Sequence, residues 1–442
     1  MNEALFEPVV RLGVTGLARS GKTVFITSLV ANMLDRGRMA GLQGAPHILA
    51  AYLQPQPDDT VPRFEYESHL QAMTGSQPYW PESTRSISEL RLSFRVAPTG
   101  MLAGLRGPRV VHVDIVDYPG EWLLDLLLLE KTYEEWSSEV LARLQTRPEA
   151  AAFLALVQDT DPAATLDEPA AQALARAFAT YLHAARDAGR ADCTPGRFLL
   201  PGDLDGSPVL TFAPLPAGDF GRGTLGREMA RRFEAYKRKV VQPFFRDHFA
   251  RIDRQVVLVD ALGALGKGRA GAEEVRDSLS DLLQAFRPGP TPLLARLLGG
   301  KRVERILFAA TKADHLHHSQ HADLAALMAN IVRKARDRAD FAGADTAAMA
   351  LASLRATTEV SLRQNSGVLD AVQGRIAGRD RPVAFDAGEI PKTLGAVPEV
   401  PPQALAQGVA FAPAPLTLLP GQGPPHIRLD RVAEFLIGDL FR

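Results

Sequence analysis

Gly16-Leu17-Ala18-Arg19-Ser20-Gly21-Lys22-Thr23 has the spacing G-x-x-x-x-G-K-T, two glycines framing four residues ahead of a lysine and a hydroxyl. Glycines at those places let the backbone curl so that its N–H groups face a phosphate, and a helix starting at Lys22 adds its positive end. Lys22 is then expected at the β- and γ-phosphates, and the Thr23 hydroxyl at Mg²⁺. Ala18, Arg19, Ser20 and Val24 complete the loop. Asp117-Tyr118-Pro119-Gly120 follows the apolar run VVHVDIV. An aspartate ending a buried strand suits the Mg²⁺ shell, and Gly120 is placed to give its N–H to a γ-phosphate. Asp114 competes with Asp117 for the metal, but only Asp117 has the D-x-x-G spacing. Thr311-Lys312-Ala313-Asp314, directly after VERILFAA, has the pattern T-K-x-D. A carboxylate there accepts from the ring N–H and exocyclic amine of guanine, a donor pair adenine lacks. Lys312 lays its aliphatic stem beside such a base, and His315 closes the loop.

These residues need strands to hold them. VVRLGVT, ISELRLSFRVA, RVVHVDIV, VVLVD, residues 303–310 and residues 349–356 read as strands, and the stretches beginning at Thr23, near Ala272 and near Ala322 as helices. Alternation of this kind predicts an α/β chain with a mostly parallel sheet between two helical layers and one antiparallel strand. Residues 38–83 are Pro, Gly and Gln-rich and read as an extended loop. The region after Gly120 reads as helical for some 130 residues. Residues 382–425 hold ten prolines, which predicts irregular chain, and RLDRVAEFLIGDLF predicts a closing amphipathic helix.

Composition narrows the partners. Fifty Lys+Arg against 51 Asp+Glu leaves a formal charge of −1, which gives no global pull toward nucleic acid. A 46% hydrophobic and 23% charged makeup is that of a globular chain. The single cysteine, Cys193, excludes a multi-thiolate metal site and fits a reducing cytoplasm. The greasiest run, Trp122–Leu129, is far short of the ~20 residues that span a bilayer. The segment Arg227–Arg254 has nine Lys/Arg against four acids, with five aromatics interleaved. It reads as a long helix kinked at Pro243 with an aromatic core face, or as a membrane-surface or partner-binding helix. His317 and His321 have the i, i+4 spacing of a zinc pair, against a plainer role of supporting the base loop.

The order phosphate loop, antiparallel strand, D-x-x-G, T-K-x-D resembles the Ras-like GTPase core. That resemblance implies a threonine that closes on Mg²⁺ and the γ-phosphate; Thr84 in WPESTRSISEL is the candidate, with Thr60 and Thr74 as alternatives. It also implies a short loop touching guanine after the last strand, here Arg355-Ala356-Thr357. Glu121 stands where many such proteins carry the glutamine that orients water, so slow hydrolysis is expected. Arg19 and Arg85 are candidates for offsetting charge in the transition state.

GLARSGKT, WPEST, DYPGEWLLDL, TKADHLHHSQH, GEIP at 388–391, PHIRLD and EFLIGD together resemble the YcjX-like family of bacterial P-loop GTPases. The likeness implies a GTPase core at 8–121 and 253–380, a helical insertion at 122–252, and a Pro-rich segment with a terminal helix at 381–442. It also implies GTP and GDP as substrate and product with Mg²⁺, nucleotide-dependent switch loops and a role in envelope stress. A protein partner, a membrane protein being one class, is implied too, with a cytoplasmic location or a peripheral one at the inner membrane. The competing readings are an ATPase with relaxed base choice and a nucleotide-regulated scaffold with negligible turnover.

Overall fold

A computed structural model describes residues 7–16, 20–82, 86–99, 107–188, 190, 193–284, 303–364, 367–379 and 381–442. The chain divides into two compact units. The first comprises 1–118, 252–279 and 302–442, the second 119–251 and 280–301.

The first unit is built on a seven-stranded sheet of order β2-β3-β4-β1-β5-β6-β7. Its strands are β1 (Val9–Gly16), β2 (Ile48–Gln54), β3 (Ser88–Val96), β4 (Arg109–Asp117), β5 (Arg254–Val259), β6 (Arg305–Ala310) and β7 (Asp345–Ala350). β4, β1, β5, β6 and β7 pair in parallel, and β3 runs antiparallel to both β2 and β4. Every residue of β5 is buried; its apolar run VVLV is that of a strand covered on both faces, and the buried Arg254 and Gln255 ahead of it are hydrogen-bonded. Helix α1 (Lys22–Leu34) is buried on almost all sides. Its apolar residues join the strands and the last helix, Leu429–Ile437, in one core. Asp439 ties that last helix down by accepting from Arg254 at 2.7 Å and from Arg305 at 2.7 Å.

Residues 38–83 are not one long loop. They supply the edge strand β2 and helix α2 (Tyr66–Thr74), because β3 offers an open antiparallel edge from Arg91 to Val96 that ILAAYLQ fills. A second sheet was also not foreseen: β8 (Thr357–Gln364), β9 (Gly367–Gly374) and β10 (Val383–Phe385) form an antiparallel meander. The last parallel strand stops at Ala350, short of the expected 356.

The second unit is helical, with helices at Tyr133–Leu144, Ala151–Gln158, Glu168–Asp187 and Leu225–Tyr236. Trp136 stacks on Phe233 with centroids 4.9 Å apart and meets Phe178 and Phe212 edge-on. Asp125 is buried and accepts from the Tyr236 hydroxyl at 2.5 Å and the Gly196 N–H at 2.7 Å. The basic segment is helical without a break from Leu225 to Asp247, but it is not regular α-helix throughout. After Tyr236 it passes through a π-turn at Lys237–Val241 and continues as Gln242–Asp247, and Pro243, which has no N–H to give, comes directly after that π-turn. Part of its charge is engaged: Arg232 is buried against Glu168 and Glu228, and Lys237 donates to the Lys131 carbonyl at 2.7 Å. Among the described residues no helix is long and apolar enough to cross a membrane.

Candidate functional site

β1, β5, β6 and β7 all run toward the same end of the sheet, and the loops leaving that end are where open α/β sheets hold ligands. A cavity of about 670 Å³ lies there, a size ordinary for a bound cofactor or nucleotide.

Ser20, Gly21, Lys22, Thr23 and Val24 line one side. Two glycines are demanded for different reasons. Gly21 caps α1 in the left-handed region at φ 84, which a side chain rarely adopts. At Gly16 the conformation is ordinary, but a Cβ would come 2.5 Å from the Leu258 carbonyl and 2.2 Å from Ser20 Oγ. The Lys22 ammonium reaches back to the Gly16 carbonyl at 3.2 Å, so it sits over the loop. Leu17, Ala18 and Arg19 lie outside the described residues.

Thr23 Oγ1 is 3.4 Å from the carbonyl of Glu82. Asp117 pairs with Val14 in the β1–β4 register, two residues from the end of β1, and it is buried. A hydroxyl and a carboxylate are hard oxygen donors of the kind Mg²⁺ selects, and of the two Thr23 lines the cavity. Asp114, the competing aspartate, is held by the Arg91 guanidinium at 2.6 and 2.8 Å within the sheet. Thr84 and Arg85 lie outside the described residues. Thr60 hydrogen-bonds Asp58 at an exposed turn, and Thr74 donates to the Leu70 carbonyl within α2. Gly120 and Glu121 belong to the second unit, where Gly120 caps the short helix Glu121–Leu124 and Glu121 is buried.

Thr311, Lys312, Asp314 and His315 also line the cavity. Lys312 is one of two non-glycine residues with positive φ among those described, at 60. A conformation that costs on the order of 1–3 kcal/mol persists where neighbours over-determine it. Here the Lys312 ammonium is paired with Asp260, which also caps the helix after β5, and the Ala313 N–H donates to Leu351 at 3.1 Å. Asp314 is buried, and its Oδ2 accepts from the Ala356 N–H at 2.9 Å, while the Thr357 hydroxyl donates to the Asp314 carbonyl. Burial lowers the His315 pKa despite the neighbouring Asp314, so its ring is neutral near pH 7.

The stretch Arg355-Ala356-Thr357 does not itself face the cavity. Ala352, Ser353 and Leu354 do, and Ala356 and Thr357 stand behind Asp314. The shift follows from β7 ending at Ala350, which brings the loop forward. Sequence reading also missed the cover. Trp80, Pro81 and residues 407–411 line the cavity, the last from the Pro-rich segment. The Trp80 indole N–H donates to the Phe411 carbonyl at 2.6 Å, and the Phe411 ring meets His315 edge-on with centroids 5.0 Å apart. No local pattern marks residues that meet across 331 positions. The proposed zinc pair is not formed: His321 is buried, with its Nε2 3.2 Å from the Leu316 carbonyl.

The sequence signature of the YcjX-like family, DUF463, matches residues 10–441. A protein of Escherichia coli (strain K12) named "Ras-like GTPase YcjX" is 37% identical over 453 residues, covering 98% of this chain and 96% of that protein. One of the same name from Shewanella oneidensis (strain MR-1) is 34% identical over 462 residues, covering 97% and 94%. Matched along almost its whole length by both kinds of comparison, the chain belongs to the YcjX-like family.

Proposed function

We propose that this chain binds GTP in the cavity and hydrolyses it to GDP and phosphate, acting as a nucleotide-dependent switch. The observation that carries this reading is the sharing of one cavity by Ser20–Val24 and Thr311–Asp314, with the Asp314 carboxylate held by the Ala356 N–H. The first group offers a helix N-terminus and an ammonium to phosphates; the second offers a fixed, buried acceptor to a base with paired donors. Thr23 and Asp117 are the residues to hold Mg²⁺, with Thr84 joining them when a γ-phosphate is present. Bound there, the ion would draw charge from the phosphate oxygens. Relatives that carry the printed name Ras-like GTPase support this choice of nucleotide.

The switch would lie in the chain from Trp80 to Thr84. Its near end touches Thr23 through Glu82 and the cover through Trp80, so a contact made to a γ-phosphate by Thr84 would be felt at both. Glu121 in place of a glutamine favours a slow intrinsic rate, since a carboxylate is poorly placed beside an anionic phosphate. A protein partner that reads the switch, at the inner membrane or in the cytoplasm, belongs to the same proposal, as does a part in envelope stress.

Binding of GTP, GDP and ATP with Mg²⁺, by the wild type and by Asp314→Ala, tests the assignment. GTP is expected to bind well ahead of ATP and to lose that lead in the variant. Equal affinity of the variant for GTP would remove the guanine reading, and phosphate release that stays at background would leave a nucleotide-regulated scaffold.

A further inference from the structure

His317, His318 and Glu359 are the only three such groups among the described residues whose potential ligand atoms lie close enough to share an ion, all within 4.8 Å of one another. They come from two segments. His317 and His318 follow the Thr311–Asp314 loop, and Glu359 projects from β8, two residues beyond Thr357. The His318 Nδ1 is 2.8 Å from Glu359 Oε2, and the His317 Nε2 is 3.6 Å from the same oxygen. Each separation is near the edge of a coordination polyhedron whose metal–ligand bonds are about 2.0–2.2 Å.

The orientation of the three groups is also supported. The His317 Nδ1 lies 2.9 Å from Ser319 Oγ, which leaves Nε2 to face the carboxylate. The His318 backbone N–H donates to Glu359 Oε1 at 3.2 Å. Of the two, only the Ser319 contact is to the far nitrogen of an imidazole, the kind of bond that orients a ligating ring. Arg355 approaches the carboxylate at 3.7 Å, outside hydrogen-bond range, and would compete for it. Burial adds to the case for His317, whose side chain is only 12% exposed while His318 is 69% exposed, so one ligand is anchored and one is reachable from solvent.

We infer that His317, His318 and Glu359 form a site for a divalent transition metal of the Zn²⁺ class. Two imidazoles and a carboxylate are borderline nitrogen and hard oxygen donors, a set suited to Zn²⁺ and Co²⁺ and unlike the all-oxygen donors of the phosphate side. Water fills the remaining position. The ion ties the loop that carries Asp314 to the strand that follows Thr357, the two segments already joined through Asp314 itself. It therefore acts as a clamp on the wall facing the base, and its role is structural. This inference concerns metal binding and stands whether or not the cavity takes GTP.

Co²⁺ and Zn²⁺ titrations of the full chain, freed of nucleotide, test it by absorption and by calorimetry. One ion per chain is expected, with a Co²⁺ ligand-field band. His317→Ala, His318→Ala and Glu359→Ala should each weaken binding by more than about tenfold, while His47→Ala, at an exposed histidine elsewhere, should not. Unchanged circular dichroism of each variant guards against misfolding. Absence of a tight single site in the wild type, or retention of wild-type affinity by any of the three variants, overturns the assignment.

Discussion

The backbone N–H of Ala356 donates to the Oδ2 of Asp314 at 2.9 Å, across 42 residues of sequence. A buried carboxylate held this way has a fixed direction, and direction is what a base-reading acceptor needs.

Base choice should therefore be reversible by one atom pair. Asp314→Asn replaces an acceptor by an amide that also donates, and xanthine presents a carbonyl where guanine presents an amine. The variant is expected to lose GTP by tenfold or more, on the scale of ~1.5–3 kcal/mol for a charged hydrogen bond, and to gain XTP. Competition binding with both nucleotides checks this; parallel losses for both would mean that Asp314 does not read the base.

Lys22 leans over the loop to the Gly16 carbonyl at 3.2 Å. Lys22→Ala should weaken GTP and GDP by roughly ten- to a hundredfold, again ~1.5–3 kcal/mol, with little change in melting temperature without nucleotide. A fluorescent-nucleotide titration that finds wild-type affinity would remove the phosphate role.

The indole of Trp80 and the carbonyl of Phe411 close the cavity with a 2.6 Å hydrogen bond. Trp80→Phe keeps a ring and deletes the donor. Nucleotide dissociation should accelerate by about two- to tenfold, the kinetic equivalent of the ~0.5–1.5 kcal/mol a single such bond contributes. Stopped-flow release of labelled GDP reads this directly, and an unchanged rate would mean that the cover does not gate exit.

Asp125 in the helical unit gives a pH signature. Burial pushes its carboxyl up from 3.8 to about 6, against the opposing Tyr236 and Gly196 hydrogen bonds. A pKa raised on folding favours the protonated group in the folded chain. Its stabilising contribution is fully present below the unfolded value near 4 and is lost as pH rises through about 6. Asp125→Asn cannot ionise, so its stability relative to the wild type should rise from pH 4 to pH 7 by as much as roughly 3 kcal/mol. Urea midpoints at pH 4, 5 and 7 measure the difference. Parallel profiles for the two proteins would place the carboxyl in a more polar setting than its burial implies.

The parallel sheet and the antiparallel β3 were legible because their signals are local: unbroken apolar runs such as VVLVD and the alternation in SELRLSFRV. Phosphate-loop and T-K-x-D residues were legible as patterns for the same reason. β2 was not, since ILAAYLQ is half exposed at a sheet edge and alternates poorly. β8 could have been read, because TTEVSLRQ does alternate, but the strand expected at 349–356 reads as the last of the sheet. Ala352–Leu354, the cover at 407–411 and the pairing of Glu359 with the two histidines depend on distant segments meeting, and no spacing records that.

The helix Leu429–Ile437 supplies Leu429, Val432, Ala433 and Leu436 to the main core with no exposed surface, and residues 407–411 wall the cavity. A ribosome delivers those segments long after residues 20–24. Through most of synthesis the phosphate loop is present while part of its supporting core is still missing. A chain stalled before residue 429 would expose the apolar surfaces of α1 and the sheet that this helix covers.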